Sequence, residues 1–154
     1  MYCWYLRHTY LENNLKVPGK VTVCGEPVDL RRLDLPTFLY ASREDHIVPW
    51  HSAYDTVHVL PGKKQFVLGA SGHIAGVINP PTKKKRSHWT NARLPKTAQA
   101  WFDGATEHPG SWWPLWSDWL KLHAGKLVAA PKKPGDARHP PIEPAPGRYV
   151  KAKA

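Results

Sequence analysis

The chain has 154 residues and a formal net charge of +10, with 42% hydrophobic, 11% aromatic and 22% charged side chains. That is apolar material for about one ordinary domain, and it excludes a wholly disordered protein. No window approaches the ~18 consecutive apolar residues of a membrane-spanning helix, and residues 1–10 lack the basic-then-apolar pattern of a signal peptide. A cytoplasmic protein is the reading. The basic excess suits an anionic partner, whether nucleic acid, a phosphorylated substrate or an acidic surface, and does not choose among them. Cys3 and Cys24 are too few for a disulfide scaffold and have no C-x-x-C partner for zinc. Both read as reduced, buried thiols, and no metal site is expected.

Tyr2, Leu6 and Tyr10 share one helical stripe, with Cys3 and Trp4 beside it, so residues 2–14 predict a helix facing a core. Pro18-Gly19 stops it. Two short strands follow, 21–24 and 28–30, joined at Gly25-Glu26-Pro27. The run Leu35-Pro36-Thr37-Phe38-Leu39-Tyr40-Ala41 has no polar alternation, which suits a strand buried on both faces, as in a parallel sheet. Residues 52–60 predict a helix ended by Pro61-Gly62, and residues 65–69 form a second short apolar strand. Strand, loop, helix and strand make a βαβ unit.

A loop over 79–91, a helix over 96–108 and a Trp-rich helix over 111–124 come next. In the last of these, Trp112, Trp116, Trp119 and Leu120 fall on one face, predicted to dock on the core, with an exposed interface as the runner-up. Residues 130–154 hold six prolines and an excess of basic residues, and read as an extended tail without a core of its own. The organisation is therefore a domain over 1–129 and a proline-rich basic tail over 130–154. Lys83-Lys84-Lys85-Arg86 reads as a solvated loop; a nucleic-acid patch and the attraction of a substrate's phosphates are its equal functional alternatives.

Two loops concentrate the chemistry. Ser42-Arg43-Glu44-Asp45-His46-Ile47-Val48-Pro49 places a carboxylate just past the first buried strand. Ser71-Gly72-His73-Ile74-Ala75-Gly76 places a histidine in a glycine-lined loop past the second. Catalytic groups of open α/β sheets gather outside the carboxyl ends of the strands, so Asp45 and His73 are expected on one rim, an acid orienting a base. A cap on the helix that follows is the competing role for Asp45, and a backbone-bonded loop residue for His73. The order acid then histidine is that of α/β-hydrolases, whose nucleophile elbow G-x-S-x-G precedes both. No such elbow, nor its cysteine form, occurs in the chain, so the start looks truncated.

The residues Arg43 to Trp50, Gly72-His73-Ile74-Ala75-Gly76-Val77-Ile78-Asn79-Pro80-Pro81 and Gly110-Ser111-Trp112-Trp113 also resemble the carboxy-terminal part of class I poly(3-hydroxyalkanoate) synthases. So do Trp4-Tyr5-Leu6-Arg7, Tyr10-Leu11-Glu12-Asn13-Asn14 and Pro144-Ala145-Pro146-Gly147-Arg148-Tyr149-Val150. The resemblance implies an α/β fold: the C-terminal portion of an α/β-hydrolase domain, with late parallel strands, flanking helices and an incomplete sheet. It implies polymerisation of (R)-3-hydroxyacyl-CoA into polyester with release of CoA, on the surface of a cytoplasmic granule; a homodimer is the reading that an exposed Trp face would carry instead. It makes Asp45 the catalytic aspartate and His73 the catalytic histidine of a Cys-His-Asp triad whose cysteine lies upstream. His46 becomes a rim residue that can touch the CoA arm of the substrate. No cofactor, membrane span or nucleic acid is implied. The alternatives are an α/β-hydrolase thioesterase or lipase, which an upstream serine elbow would favour, and a non-catalytic nucleic-acid binder resting on the charge.

Overall fold

The computed structural model describes residues 1–153 and divides into two units, residues 1–123 and the remainder. The first unit is an α/β body. It starts with α1 (Tyr2–Leu6), continued by a π-helical turn over Arg7–Leu11. A hairpin of β1 (Val21–Val23) and β2 (Glu26–Val28) follows. Then come β3 (Thr37–Ser42), α2 (Trp50–Tyr54), α3 (Thr56–Val59), β4 (Lys64–Gly69), β5 (Ser87–Thr90), α4 (Ala98–Asp103), β6 (Thr106–Pro109) and α5 (Trp113–Lys121).

The main sheet has the order β3-β4-β5-β6. β3 and β4 are parallel, Thr37 opposite Lys64 through Ser42 opposite Gly69, and α2 and α3 form the crossover between them. The predicted βαβ unit is thus present. Successive side chains of β3 go to opposite faces, and both faces are covered. On one, Leu39, Ala41, Phe66, Leu68 and Trp89 pack with Trp50 and Tyr54 of α2, Val57 of α3 and Trp101 of α4. Phe66 meets Trp101 edge-on at 4.8 Å and 90°, a favoured aromatic geometry. On the other, Trp112 stacks on Tyr40 at 4.2 Å, and Trp119 of α5 lies 5.7 Å from Phe38.

Gly69 makes the second layer possible. A Cβ there would stand 2.8 Å from carbons of the Tyr40 ring and run into its hydroxyl. Only glycine lets the ring lie across the end of β4.

Several expectations need correction. The Tyr2, Leu6 and Tyr10 stripe is exposed, Tyr2 and Tyr10 at 74% and 77%. Periodicity reports a shared face but not what covers it. Cys3 and Cys24 are free but exposed, not buried. Cys24 (φ +50°) and Gly25 (φ +85°) are the two residues between the paired Val23 and Glu26, so the hairpin turns at Cys24-Gly25 and carries the thiol at its tip.

The helix over 52–60 begins earlier, at Trp50, and is two short pieces either side of Asp55. The loop over 79–91 contains β5, antiparallel to β4, and the helix over 96–108 ends at Asp103, before Gly104, with β6 in its last turns' place. The sheet is therefore mixed rather than parallel throughout. Of the Trp stripe, Trp112 is buried and Trp119 is half-buried, while Trp116 and Leu120 remain exposed.

The second unit is almost wholly exposed and irregular, apart from a 3-10 turn at Tyr149–Lys151. Within it Glu143 and Arg148 form an ion pair at 3.2 Å.

Candidate active site

β3 and β4 end side by side, and their loops stay zipped together beyond the ladder. Arg43 N–H donates to Gly69 O at 2.8 Å and Glu44 N–H to Ser71 O at 3.0 Å. Arg43 is further fixed by its guanidinium, which sits over the rings of Phe102 and Trp89 at 4.8 and 5.2 Å. Ser71 takes φ +75°, a left-handed conformation uncommon for a residue with a side chain, and Gly72 and His73 follow from that bend.

The result is direct contact between the two residues singled out by sequence. His73 Nδ1 lies 2.8 Å from Asp45 Oδ2. Asp45 Oδ1 accepts the backbone N–H groups of Ile47 and Val48 at 2.9 and 3.0 Å. Those amides close a turn that ends before α2 begins at Trp50, so Asp45 caps its own loop rather than the helix. Both functions coexist in one carboxylate, one oxygen for the turn and the other for the imidazole. The Val48 amide first, then the His73 bond, hold its pKa down to about 2. It is an anion at neutral pH.

Asp45 exposes 9% of its side chain and His73 48%. An imidazole with Nδ1 turned to a carboxylate carries its proton there, which leaves the Nε2 lone pair free to accept another. This arrangement can take a proton from a nucleophile and stabilise the cation that forms. Beside the pair is a cavity of about 200 Å³, lined by Tyr40, Ser42, Val48 and Val77 among others. Its wall is mostly apolar, with the hydroxyls of Tyr40 and Ser42 joined at 3.1 Å.

His46 is exposed on the same loop, outside the hydrogen-bonded pair. Neither Cys3 nor Cys24 lines the cavity. Among the described residues there is no group of three His, Cys, Asp or Glu side chains able to hold a metal, and no helix is long and apolar enough to cross a membrane.

Sequence reasoning missed the support around the pair. Ser42 and Tyr40 stand behind it on β3, and the indoles of Trp112 and Trp113 reach the carbonyls of Gly76 and Val77. The signal lay in the i, i+2 spacing of Tyr40 and Ser42 on one strand face, and in Gly76, whose small size implies close packing.

The fold and the pair define a class: an α/β protein with an acid and a histidine on the loops of two adjacent parallel strands. Comparison with known proteins narrows it. No family model matches the chain. It is 67% identical over 153 residues to the poly(3-hydroxyalkanoate) polymerase subunit PhaC of Cupriavidus necator, covering 99% of this chain and 26% of that protein. It is 42% identical over 138 residues to poly(3-hydroxyalkanoate) polymerase 2 of Ectopseudomonas oleovorans, covering 90% of this chain and 25% of that protein. A polymerase subunit from Rhizobium etli is 42% identical over 149 residues, 97% of this chain and 23% of its own length. The chain is a homologue of the poly(3-hydroxyalkanoate) polymerases, and it spans about a quarter of the length of the curated relatives it matches.

Proposed function

We propose that this chain forms the acid–histidine part of an α/β-hydrolase-type active site that polymerises (R)-3-hydroxyacyl-CoA, with Asp45 and His73 serving a cysteine supplied by further sequence. The single observation that carries this reading is the 2.8 Å bond between Asp45 and His73 at the ends of adjacent parallel strands. The polymerase relatives supply the substrate class.

In this scheme His73 Nε2 takes the proton of the cysteine thiol, and the thiolate attacks the thioester carbonyl. The carbonyl carbon forms a bond to the enzyme sulfur and breaks its bond to the CoA sulfur, which leaves with the proton from the imidazolium. The 3-hydroxyl of another hydroxyacyl group then loses its proton to His73 as its oxygen attacks the acyl-enzyme. An ester forms, and the enzyme thiol is released. Asp45 stays ionised, orients the ring and balances its charge. The exposure of His46 on the Asp45 loop supports its role as the contact for the CoA arm. Location at a polyester granule rests on the family resemblance, assembly as a homodimer on the exposed Trp116 and Leu120 of the Trp stripe, and both belong to the same proposal.

The test is a chimera in which this chain replaces the matching quarter of the Cupriavidus necator polymerase. CoA release from 3-hydroxybutyryl-CoA is followed with a thiol reagent. The chimera is expected to be active, and His73→Ala to lower the rate roughly 10²- to 10⁴-fold. Near-normal turnover in that variant rejects the triad. The 154-residue chain alone is expected to match a no-protein blank.

A further inference from the structure

Trp112 and Trp113 leave the main chain in consecutive positions at the start of α5, and both indoles end on the loop that carries His73. Trp112 Nε1 donates to Gly76 O at 3.1 Å, and Trp113 Nε1 donates to Val77 O at 2.9 Å. The geometry points to a double indole clamp: Trp112 and Trp113 are positioning residues that hold the loop of residues 72–78 on the sheet, so that His73 meets Asp45 in a fixed orientation. The catalytic consequence of the clamp rests on the triad reading above, but its effect on the His73–Asp45 contact does not.

The loop needs such anchors. Its own hydrogen bonds, Gly76 N–H to Gly72 O at 2.8 Å and Ile78 N–H to Ile74 O at 2.9 Å, close turns within it and tie it to nothing else. A segment bonded mainly to itself can rock as a unit, and rocking would carry the imidazole off the carboxylate. Two donors from outside, at adjacent carbonyls just past His73, oppose that motion.

The donors are themselves fixed. Trp112 is buried and stacked on Tyr40 at 4.2 Å with an interplanar angle of 26°, and on Phe38 at 6.2 Å and 27°. Tyr40 in turn bonds Ser42, whose hydroxyl lies against the Cα of Gly76, leaving no room for a Cβ. The loop is held from the helix side by indole N–H groups and from the strand side by Ser42. Indole suits the task because it offers a donor and no acceptor on a broad, stiff ring. Phenylalanine keeps an aromatic ring for stacking and removes the donor together with part of the indole's volume.

The experiment uses the 154-residue chain with ¹⁵N-labelled histidine and reads the Nδ1–H proton of His73, assigned by its absence in His73→Gln, together with the Asp45 carboxyl titration. In the unsubstituted chain the proton should resonate downfield of the amides, protected by Asp45. Trp113→Phe, at a half-buried site that tolerates the change, should lose this resonance to solvent exchange and raise the Asp45 midpoint part of the way from about 2, because the Val48 amide stays in place. Trp112→Phe should do the same. Trp119→Phe, whose ring packs on Phe38 and His123, is the control for lost indole volume and should keep both signals.

If Trp113→Phe retains the resonance and the low midpoint, the clamp is overturned while the triad reading stands. If all three variants lose them equally, general packing is responsible and the clamp is again overturned. A resonance missing from the unsubstituted chain, in a sample dilute enough for light scattering to show a monomer, overturns the pair and the clamp together, whereas a chimera that no longer depends on His73 rejects the triad alone.

Discussion

Asp45 and His73 are 28 residues apart in sequence, yet their side chains meet at 2.8 Å because parallel pairing of β3 and β4 brings both loops to one end of the sheet. The contact has a pH signature. Folding lowers the Asp45 pKa from 3.8 to about 2, chiefly through the Val48 amide and then His73. A carboxylate depressed in the folded state contributes stability above its unfolded pKa and loses it as pH falls through the folded value. The contribution is therefore complete above about pH 4 and fades between there and pH 2. Acid unfolding followed by tryptophan fluorescence should show the stability gap between the natural chain and Asp45→Asn closing across that window. A gap that persists unchanged at pH 2 would show that the carboxylate adds nothing to the fold.

This relationship was largely legible in the sequence, because the two apolar runs ending in Ala41 and Gly69 are continuous, as double-sided burial in a parallel pair requires. The strands β5 and β6 were not. Ser87-His88-Trp89-Thr90 and Thr106-Glu107-His108-Pro109 are short and carry histidines, and they become strands only because β4 offers an edge to the first and the first then offers one to the second. The exposed stripe at Tyr2 and Tyr10 failed for the opposite reason, since a helical period fixes a common face and says nothing about a partner. Likewise Trp112 was legible as a packing residue and Trp113 was not, and where the two rings end depends on where the His73 loop turns.

Gly76 offers a stability test independent of catalysis. Its Cα faces Ser42, and a Cβ would run into the Ser42 hydroxyl while standing 2.9 Å from the carbonyl oxygens of Ala70 and Gly72. Two of those neighbours are main chain and cannot rotate away. Gly76→Ala should destabilise the body by roughly 1 to 3 kcal/mol, the usual cost of overpacking. Pairing it with Ser42→Gly should recover part of the loss, because the nearest obstacle is gone. Urea denaturation of the two variants measures both effects, and a Gly76→Ala chain as stable as the natural one would show that the loop is not pressed against β3.

The free edge of β3 carries the last prediction. Among the described residues β3 pairs only with β4, so the far side of Thr37–Ser42 presents unpaired backbone N–H and C=O groups. Its side chains Phe38, Leu39 and Tyr40 are only partly buried, although the strand is apolar and packed on both faces. Central parallel strands carry such sequences, and edge strands normally blunt them with charge, proline or a bulge. Here Pro36 stands just before the strand, and nothing within Thr37–Ser42 is charged. The 154-residue chain should therefore associate through this edge as its concentration rises, and its urea unfolding should be broad and concentration-dependent. Light scattering across a dilution series, with tryptophan fluorescence as the unfolding probe, tests the expectation. A Tyr40→Lys change would confuse the result by breaking the stack on Trp112, so the informative variant is Thr37→Pro, at the start of the strand, where the Thr37 N–H donates to Lys63 O at 2.8 Å. Removing that donor weakens the β3–β4 register from its first residue and should increase association further. A sharp, monomeric, concentration-independent transition in the natural chain would show that the edge is already protected.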